Sequence, residues 1–220
     1  MNYIEHNRCR MSSSENLISI LNLGHQALTG VFPRSPKENL TSGPLELVWC
    51  PESGLVQLKH SYDADEMYGD NYGYRSGLNQ SMVDHLTNKV RYLERLVKPK
   101  AGETILDIGS NDCTTLKAYS IKGLNCIGID PTGKNFAKYY PDDVTLVADF
   151  FSSDAYHSAT DKKAKIITSI AMFYDLDDPV SFARQIESVL ADDGIWHFEQ
   201  SYLPSMLRLN SYDTICHEYL

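Results

Sequence analysis

The sequence has little of three things, and each shortage excludes a class of protein. Its five cysteines are scattered and odd in number, which argues against a disulfide framework and predicts free thiols in a reducing compartment. No apolar run approaches the roughly 20 residues needed to span a bilayer, and the polar N-terminal stretch has no apolar signal core. Bases are fewer than acids, 20 against 29, and no basic stripe offsets this, which argues against nucleic-acid binding. We therefore expect a cytoplasmic protein that binds neither nucleic acid nor a membrane.

Composition and periodicity divide the chain into three predicted regions. Residues 1–60 are rich in prolines and turns and carry short apolar runs, so they predict a small β-rich module. Residues 61–100 predict a tyrosine-rich linker and then a helix, because apolar residues recur at helical spacing from Met82 until Pro99 ends the pattern. The third region begins at residue 101. The strands predicted in the first region cover residues 17–21, 45–49 and 55–58.

The third region, 101–220, alternates strand and helix patterns, which implies parallel βαβ units with right-handed crossovers. The clearest helix pattern covers 179–190, where Asp178 suits the N-cap, Pro179 suits the first turn and the apolar residues share one face. The predicted strands cover residues 104–108, 125–129, 144–147, 165–170 and 195–199.

Acidic motifs stand at the ends of three successive predicted strands. The first strand ends in the turn 107–112, Asp-Ile-Gly-Ser-Asn-Asp, the second ends in 128–131, Gly-Ile-Asp-Pro, and the third is followed by Asp149 and Phe150. Ligands of parallel sheets bind at the carboxyl ends of the strands, and an acid about 20 residues after the first turn is typical of a ribose site. The motifs therefore predict a nucleoside cofactor.

The first motif differs from a dinucleotide-binding loop. That loop carries three glycines because a pyrophosphate approaches its bare backbone, whereas this turn has only Gly109, beside carboxylates that repel phosphate and suit a sulfonium and an α-amino group. We therefore predict S-adenosylmethionine, with its methionine end passing Gly109 near Asp107 and Asp112, and with Asp130 binding the ribose hydroxyls. The adenine edge and face are assigned to Asp149 and Phe150.

The same acids could instead be turn residues and helix caps of another doubly wound fold. For one motif alone, that reading would be preferred. Three motifs at the ends of successive strands favour the cofactor, because that edge of such a sheet is where ligands bind.

With several further segments, these motifs resemble those of the sugar C-methyltransferases. The further segments are 169–176, 199–202 and 212–218, and the resemblance spans nearly the whole chain. It implies an α/β fold, a Rossmann-like class I methyltransferase with a doubly wound parallel sheet and a small N-terminal β-rich module. It also implies S-adenosylmethionine-dependent methylation of a ring carbon in a nucleotide-linked keto-deoxysugar, as in polysaccharide or antibiotic sugar biosynthesis.

The resemblance implies catalytic candidates as well. In the family, a base run Tyr-His-Glu-His serves to remove the proton beside the sugar ketone, and the enolate then takes the methyl group. Here the matching run is Cys216, His217, Glu218 and Tyr219, and tyrosine is a poorer proton acceptor than histidine at its ordinary pKa. Either His217 or Glu218 takes over, or Tyr219 has a lowered pKa, or the step is impaired. The cofactor side of the site adds Asn111, Pro131, Met172, Phe173, Tyr74 and Ser76.

Two departures from the family concern cysteine. Many members bind zinc through two Cys-x-x-Cys pairs, but here Ser12 and Ser53 replace the second cysteine of each pair, so we expect no zinc. Cys9 and Cys50 are expected to lie close together as a buried thiol pair. Cys113 stands where the family has glycine, and crowding of the cofactor turn is expected to weaken cofactor binding.

The chain ends at Leu220, before the antiparallel strands and the C-terminal domain that the resemblance leads us to expect. An open sheet edge would promote a homo-oligomer or contact with a partner chain. Three functions stay open: the sugar C-methyltransferase, an O- or N-methyltransferase acting on a small molecule, and a non-catalytic fragment that binds cofactor or a partner.

Overall fold

Two compact units make up the described part of the chain. The computed structural model describes residues 3–28, 35, 37–38, 40–63, 67, 73–211 and 215–217. The first unit, called the N-terminal unit, takes in the described residues of 1–72, 173–181 and 200–220. The second, called the sheet unit, takes in 73–172 and 182–199.

The N-terminal unit is built on short antiparallel strands. Three of them form a sheet in the order β2 (Ile18–Ala27), β3 (Ser42–Trp49), β4 (Val56–Leu58). A separate pair joins β1 (Tyr3–Glu5) to β5 (His60–Tyr62). The three strands predicted in this region are confirmed, although β2 runs six residues beyond its predicted end at residue 21.

The sheet unit is a parallel sheet of five strands. Their spatial order is β10–β9–β6–β7–β8, and every adjacent pair is parallel. The first strand of the unit is thus central, and the chain winds outward from it in both directions. In such a sheet the ligand crevice opens at the carboxyl ends of the central strands, here β6 and β9. The strands are β6 (Thr104–Ile108), β7 (Asn125–Ile129), β8 (Val144–Val147), β9 (Ala164–Ile170) and β10 (Leu190–Glu199).

Most helices in the described residues are short. The α-helices are α1 (Gln80–Val97), α2 (Thr114–Lys117), α3 (Gly133–Phe136), α4 (Ser153–His157), α5 (Pro179–Val189) and α6 (Leu203–Arg208). Single 3₁₀ turns occur at Ser76–Leu78, Ala137–Tyr139 and Phe173–Asp175.

Helix α1 follows the predicted apolar face and predicted end. The side chain of Asn79 caps it by accepting from the Ser81 backbone N–H at 3.0 Å. Its apolar stripe is buried, including Val90 at 0% exposure. The helix ends at Lys98, which adopts a left-handed conformation (φ 53°) directly before Pro99.

Helix α5 confirms the predicted cap, and its end corrects the prediction. The Ser181 backbone N–H donates to Asp178 Oδ1 at 2.8 Å. Residue 190, predicted as the last helical residue, instead begins β10, because Leu190 pairs with Ala164 before the register shifts ahead of Ile195.

Strand β10 forms one edge of the parallel sheet. Within the described ranges, no strand pairs with its outer side, so the oligomer contact predicted for this edge stays a prediction. Among the residues that the structure describes, no helix has both the length and the apolar character that crossing a membrane requires.

Candidate functional site

The glycine turn after β6 is held against the end of β7. Gly109 adopts φ 72° and its backbone N–H donates to the Ile129 carbonyl at 2.9 Å. A Cβ at this position would lie 3.3 Å from Cγ of Met172, in addition to the left-handed backbone that it would strain. The sequence-predicted residues Gly109 and Met172 are therefore brought together, with Met172 covering the turn.

Asp130 ties the turn to the end of β7. Its Oδ2 accepts from the Asn111 backbone N–H at 2.7 Å. Its Oδ1 accepts from the backbone N–H and the hydroxyl of Thr132 at 2.7 and 2.6 Å. A carboxylate offers about four lone-pair sites, so with three donors in place Asp130 keeps one for a further hydroxyl. Pro131, also predicted at the site, follows it and is partly buried.

A segment ahead of α1 lies along the same turn. The Asn111 side chain accepts from the Ser76 backbone N–H and donates to the Tyr74 carbonyl, both at 3.0 Å. The Gly77 backbone N–H donates to Asp112 Oδ2 at 3.0 Å. Tyr74 and Ser76 thus reach the turn through their backbones, while the Tyr74 side chain stays 50% exposed.

Asp107 lies beneath the turn, away from solvent. It is buried, and its Oδ1 accepts from the Thr168 hydroxyl on β9 at 2.5 Å. Burial raises the pKa of Asp107 to about 7, against the lowering effect of hydrogen bonds from Thr168 and Thr115. This carboxyl group therefore supports the turn from inside the sheet, and it titrates near neutral pH.

The end of β8 presents its two predicted residues to solvent. Asp149 is exposed and accepts from the Phe150 backbone N–H at 2.7 Å. The Phe150 ring is 47% exposed. An exposed aromatic face beside a carboxylate is what the edge and face of a purine require.

Cys113 avoids the predicted crowding by turning inward. Its backbone is left-handed (φ 67°), as a family glycine would allow, and its side chain is fully buried. It packs in an apolar cluster with Leu93, Ile105 and Leu116. The thiol therefore fills the core instead of the turn, and the expected weakening of cofactor binding stays untested.

Sequence reasoning missed two residues that shape the site. Arg75 Nε lies 3.2 Å from Asp112 Oδ2, and its guanidinium stacks 4.4 Å from the centre of the Tyr139 ring. The Tyr140 hydroxyl donates to the Asn111 carbonyl at 3.0 Å. Nothing in the sequence singles out these residues, because each lies about 30 or more residues from its partner in the turn.

Of the predicted catalytic run, the structure describes Cys216, which is partly buried, and His217. The His217 side chain is 1% exposed and packs edge-on against Tyr62, with ring centres 4.7 Å apart. Burial lowers the pKa of His217, while a hydrogen bond with the backbone of Gly43 acts in the opposite direction. Glu218 and Tyr219 lie outside the described residues. Phe173 belongs to the N-terminal unit, whereas the turn belongs to the sheet unit.

The four positions of the family's zinc pattern converge. Cys9 Sγ lies 3.2 Å from Ser53 Oγ, and Ser12 Oγ lies 3.5 Å from Cys50 Sγ. Hydrogen bonds from Ser53 and Ser12 lower the pKa of Cys50 to about 6. The predicted proximity of the two buried cysteines is confirmed. Within the described ranges, no group of three or more His, Cys, Asp or Glu side chains is arranged to hold a metal ion.

The turn is lined by acids. Asp107, Asp112 and Asp130 are all buried around it, and Arg75 pairs with Asp112. Such a set disfavours a pyrophosphate and suits a nucleoside that carries a positive charge. The fold and the site together are those of a doubly wound domain suited to a cationic nucleoside cofactor.

Comparison with known proteins supplies the family. Residues 83–219 match the model described as "Methyltransferase domain", so the chain belongs to the methyltransferase domain family. Residues 9–68 match a second model, described as "Putative zinc binding domain".

One curated relative matches almost the whole chain. This is the C-methyltransferase NovU of Streptomyces niveus, 25% identical over 216 residues, which cover 96% of this chain and 51% of NovU. The chain therefore spans about half the length of that relative.

Solved structures give weaker likenesses. The plantazolicin methyltransferase BpumL, in complex with a pentazolic desmethylPZN analog and SAH, is 18% identical over 63% of this chain and 54% of its own, with a TM-score of 0.47. The glycopeptide N-methyltransferase MtfA is 15% identical over 51% of this chain and 52% of its own, with a TM-score of 0.41. The assignment of fold therefore rests on the strand order of the sheet unit.

Proposed function

We propose that this chain is an S-adenosylmethionine-dependent methyltransferase that methylates a ring carbon of a nucleotide-linked keto-deoxysugar. The observation that carries the cofactor half of this proposal is the acid-lined glycine turn, tied by Asp130 to the end of the neighbouring strand. Carbon methylation is supported by the 25% identity to a C-methyltransferase over 96% of this chain, and the sugar by the motifs that resemble those of the sugar C-methyltransferases.

Each part of the cofactor has a residue suited to it. Asp130 keeps one acceptor site for a ribose hydroxyl, and the exposed Phe150 ring suits the adenine face, with Asp149 at its edge. Gly109 and Asn111 border the space assigned to the methionine end, and the Tyr74–Ser76 backbone closes it. When bound, the cofactor supplies a methyl group on a positively charged sulfur. Asp112 is paired with Arg75 at 3.2 Å, so its charge is already balanced within the chain.

The carbon acceptor requires a base. A ketone acidifies the neighbouring carbon, so a group of the enzyme takes that proton. The enolate carbon would then form the new bond to the methyl group as the methyl–sulfur bond breaks, and the sulfur would leave as a neutral thioether. His217 is a candidate because burial lowers its pKa and keeps the imidazole neutral, the form that accepts a proton. Glu218 and Tyr219 complete the proposed catalytic set, as the sequence predicts.

Methyl transfer to paired sugars tests the proposal. The full chain is incubated with S-adenosylmethionine and a panel of nucleotide-linked keto-deoxysugars, each beside its reduced alcohol, and products are read by mass spectrometry. We expect one methyl group on the ketone and none on the alcohol. Methylation of the alcohol would instead indicate an O-methyltransferase, and no transfer to any acceptor would contradict the proposal.

Solvent deuterium separates binding from chemistry in the same assay. An active base exchanges the proton beside the ketone for deuterium even without methyl transfer, so His217→Gln should slow that exchange if His217 acts as the base.

The reaction is proposed to be cytoplasmic, which is consistent with five free cysteines.

A further inference from the structure

The two turns that carry the family's zinc pattern are built alike. In the first, the Ser13 N–H donates to the Cys9 carbonyl and the Cys9 N–H donates to the Ser14 carbonyl, both at 2.8 Å. In the second, Gly54 and Cys50 donate in the same pattern to the Cys50 and Leu55 carbonyls, both at 2.9 Å. These two paired turns are called the knuckles here.

The backbone conformation repeats as well. The fifth residue of each knuckle is left-handed: Ser13 has φ 61° and Gly54 has φ 78°. The Ser12 N–H also points toward Cys9 Sγ, at 3.5 Å. Each knuckle thus keeps a turn that brings its first and fourth side chains toward the other knuckle, and the fourth is an exposed serine.

The spacing across the knuckles matches that of a tetrahedral metal centre. Zinc–sulfur bonds of about 2.3 Å place neighbouring sulfur ligands about 3.8 Å apart. The crossed contacts, Cys9 Sγ to Ser53 Oγ at 3.2 Å and Ser12 Oγ to Cys50 Sγ at 3.5 Å, are slightly shorter. The two crossed pairs therefore lie at separations close to those of two ligands on one metal.

The donor chemistry does not fit zinc. Structural zinc sites use thiolates, imidazoles and carboxylates, and a neutral serine hydroxyl is not among these ligands. Nor does a histidine or carboxylate replace them among the described residues, because no group of three or more His, Cys, Asp or Glu side chains there could hold a metal ion. The two cysteine sulfurs and the two serine hydroxyls instead pair by hydrogen bonds, in which the hydroxyls of Ser12 and Ser53 can donate to sulfur.

A buried amide supplies a second tie that needs no metal. The Gln57 side chain is 1% exposed. Its Oε1 accepts from the Arg10 N–H at 2.9 Å, and its Nε2 donates to the Arg8 carbonyl at 3.2 Å. This amide fastens the first knuckle to β4 from inside the unit.

We infer that the knuckles of this chain bind no zinc and are closed by two crossed sulfur–hydroxyl contacts, while their backbone keeps the convergence of a tetrahedral zinc site. Two consequences follow. The protein should fold without metal, and restoring a cysteine at both serine positions should be sufficient to create a zinc site.

Metal content and melting of the full chain test the inference. The chain and the variant S12C/S53C are purified with zinc and a reducing agent, assayed for bound metal, and melted with and without a chelator. We expect only background zinc in the unsubstituted chain, with a melting temperature that the chelator leaves unchanged. We expect one zinc per chain in S12C/S53C, with a melting temperature that falls by several degrees when the metal is removed.

Two further variants complete the test: a positional control and a variant without the two serine hydroxyls. The variant S14C/E52C adds the same number of thiols outside the converging positions and should retain no zinc. The variant S12A/S53A removes both hydroxyls and should melt below the unsubstituted chain, still independently of the chelator. One zinc in the unsubstituted chain would overturn the inference, and so would a folded S12C/S53C that takes up no more zinc than S14C/E52C.

Discussion

At the scale of single residues, the most consequential group is the buried carboxyl of Asp107. Its pKa is raised to about 7 by burial, so folding favours the protonated form. For an acid with a raised folded pKa, the stabilising contribution is complete below the unfolded pKa of about 3.9 and is lost as the pH rises through about 7. Ionised Asp107 is therefore a cost that the folded protein carries at neutral pH.

The variant Asp107→Asn should remove this cost while keeping an acceptor for the Thr168 hydroxyl. The free energy of unfolding of the unsubstituted chain, relative to that of the variant, should fall by roughly 2 to 3 kcal/mol between pH 5 and pH 8. Urea unfolding across that range, without cofactor, measures the difference. The exposed Asp161→Asn controls for the removal of one carboxyl group. A flat difference for Asp107→Asn would contradict the raised pKa of Asp107.

At the scale of elements, the end of α1 carries local backbone strain. Lys98 is exposed and left-handed (φ 53°, ψ 56°), and its N–H donates to the Glu94 carbonyl at 2.9 Å. A left-handed conformation costs a non-glycine residue about 1 kcal/mol or more. Glycine avoids this cost, but the greater flexibility of its unfolded chain offsets part of the gain in stability. Lys98→Gly should therefore raise the free energy of unfolding by about 0.5 to 1 kcal/mol relative to Lys98→Ala, as denaturant melts would show. Equal stability of the two variants would count against this strain.

The elements also show which parts of the fold the sequence predicts. Strands β6, β7 and β8 match their predicted bounds because each is a short apolar run set off by turn residues. The start of β10 was predicted five residues late, because Asp192, Asp193 and Gly194 disfavour strands and are typical of turns. Only pairing of Leu190 with Ala164 reveals the earlier start, and that pairing is a tertiary contact.

The candidate site, too, is predicted only in part by the sequence. Its acids could be predicted because the carboxyl ends of parallel strands meet at one edge. That rule places Asp130 beside the glycine turn but gives no indication that Arg75 pairs with Asp112, a contact across 37 residues of chain. It also does not show that Cys113 turns into the core, since the direction of a side chain follows from a local backbone angle.

At the scale of the whole molecule, we propose that the two units have separate functions. The sheet unit contains the turn, Asp130 and Phe150, so cofactor binding is proposed to be its property. The N-terminal unit contains the knuckles and the described part of the catalytic run. Cofactor binding is the property on which the proposed function depends first, because carbon methylation requires it whichever residue acts as the base.

Calorimetric titration of the full chain with S-adenosylhomocysteine tests cofactor binding most directly. We expect one-to-one binding with a dissociation constant in the micromolar range, a binding free energy of about -8 kcal/mol. Asp130→Ala should lose most of this affinity, because it removes the acceptor for the ribose hydroxyl. Asp161→Asn, remote from the turn in sequence and exposed, should bind as the unsubstituted chain does. A folded, cooperatively melting sample that gives no binding heat and no rise in melting temperature with the ligand would contradict the account.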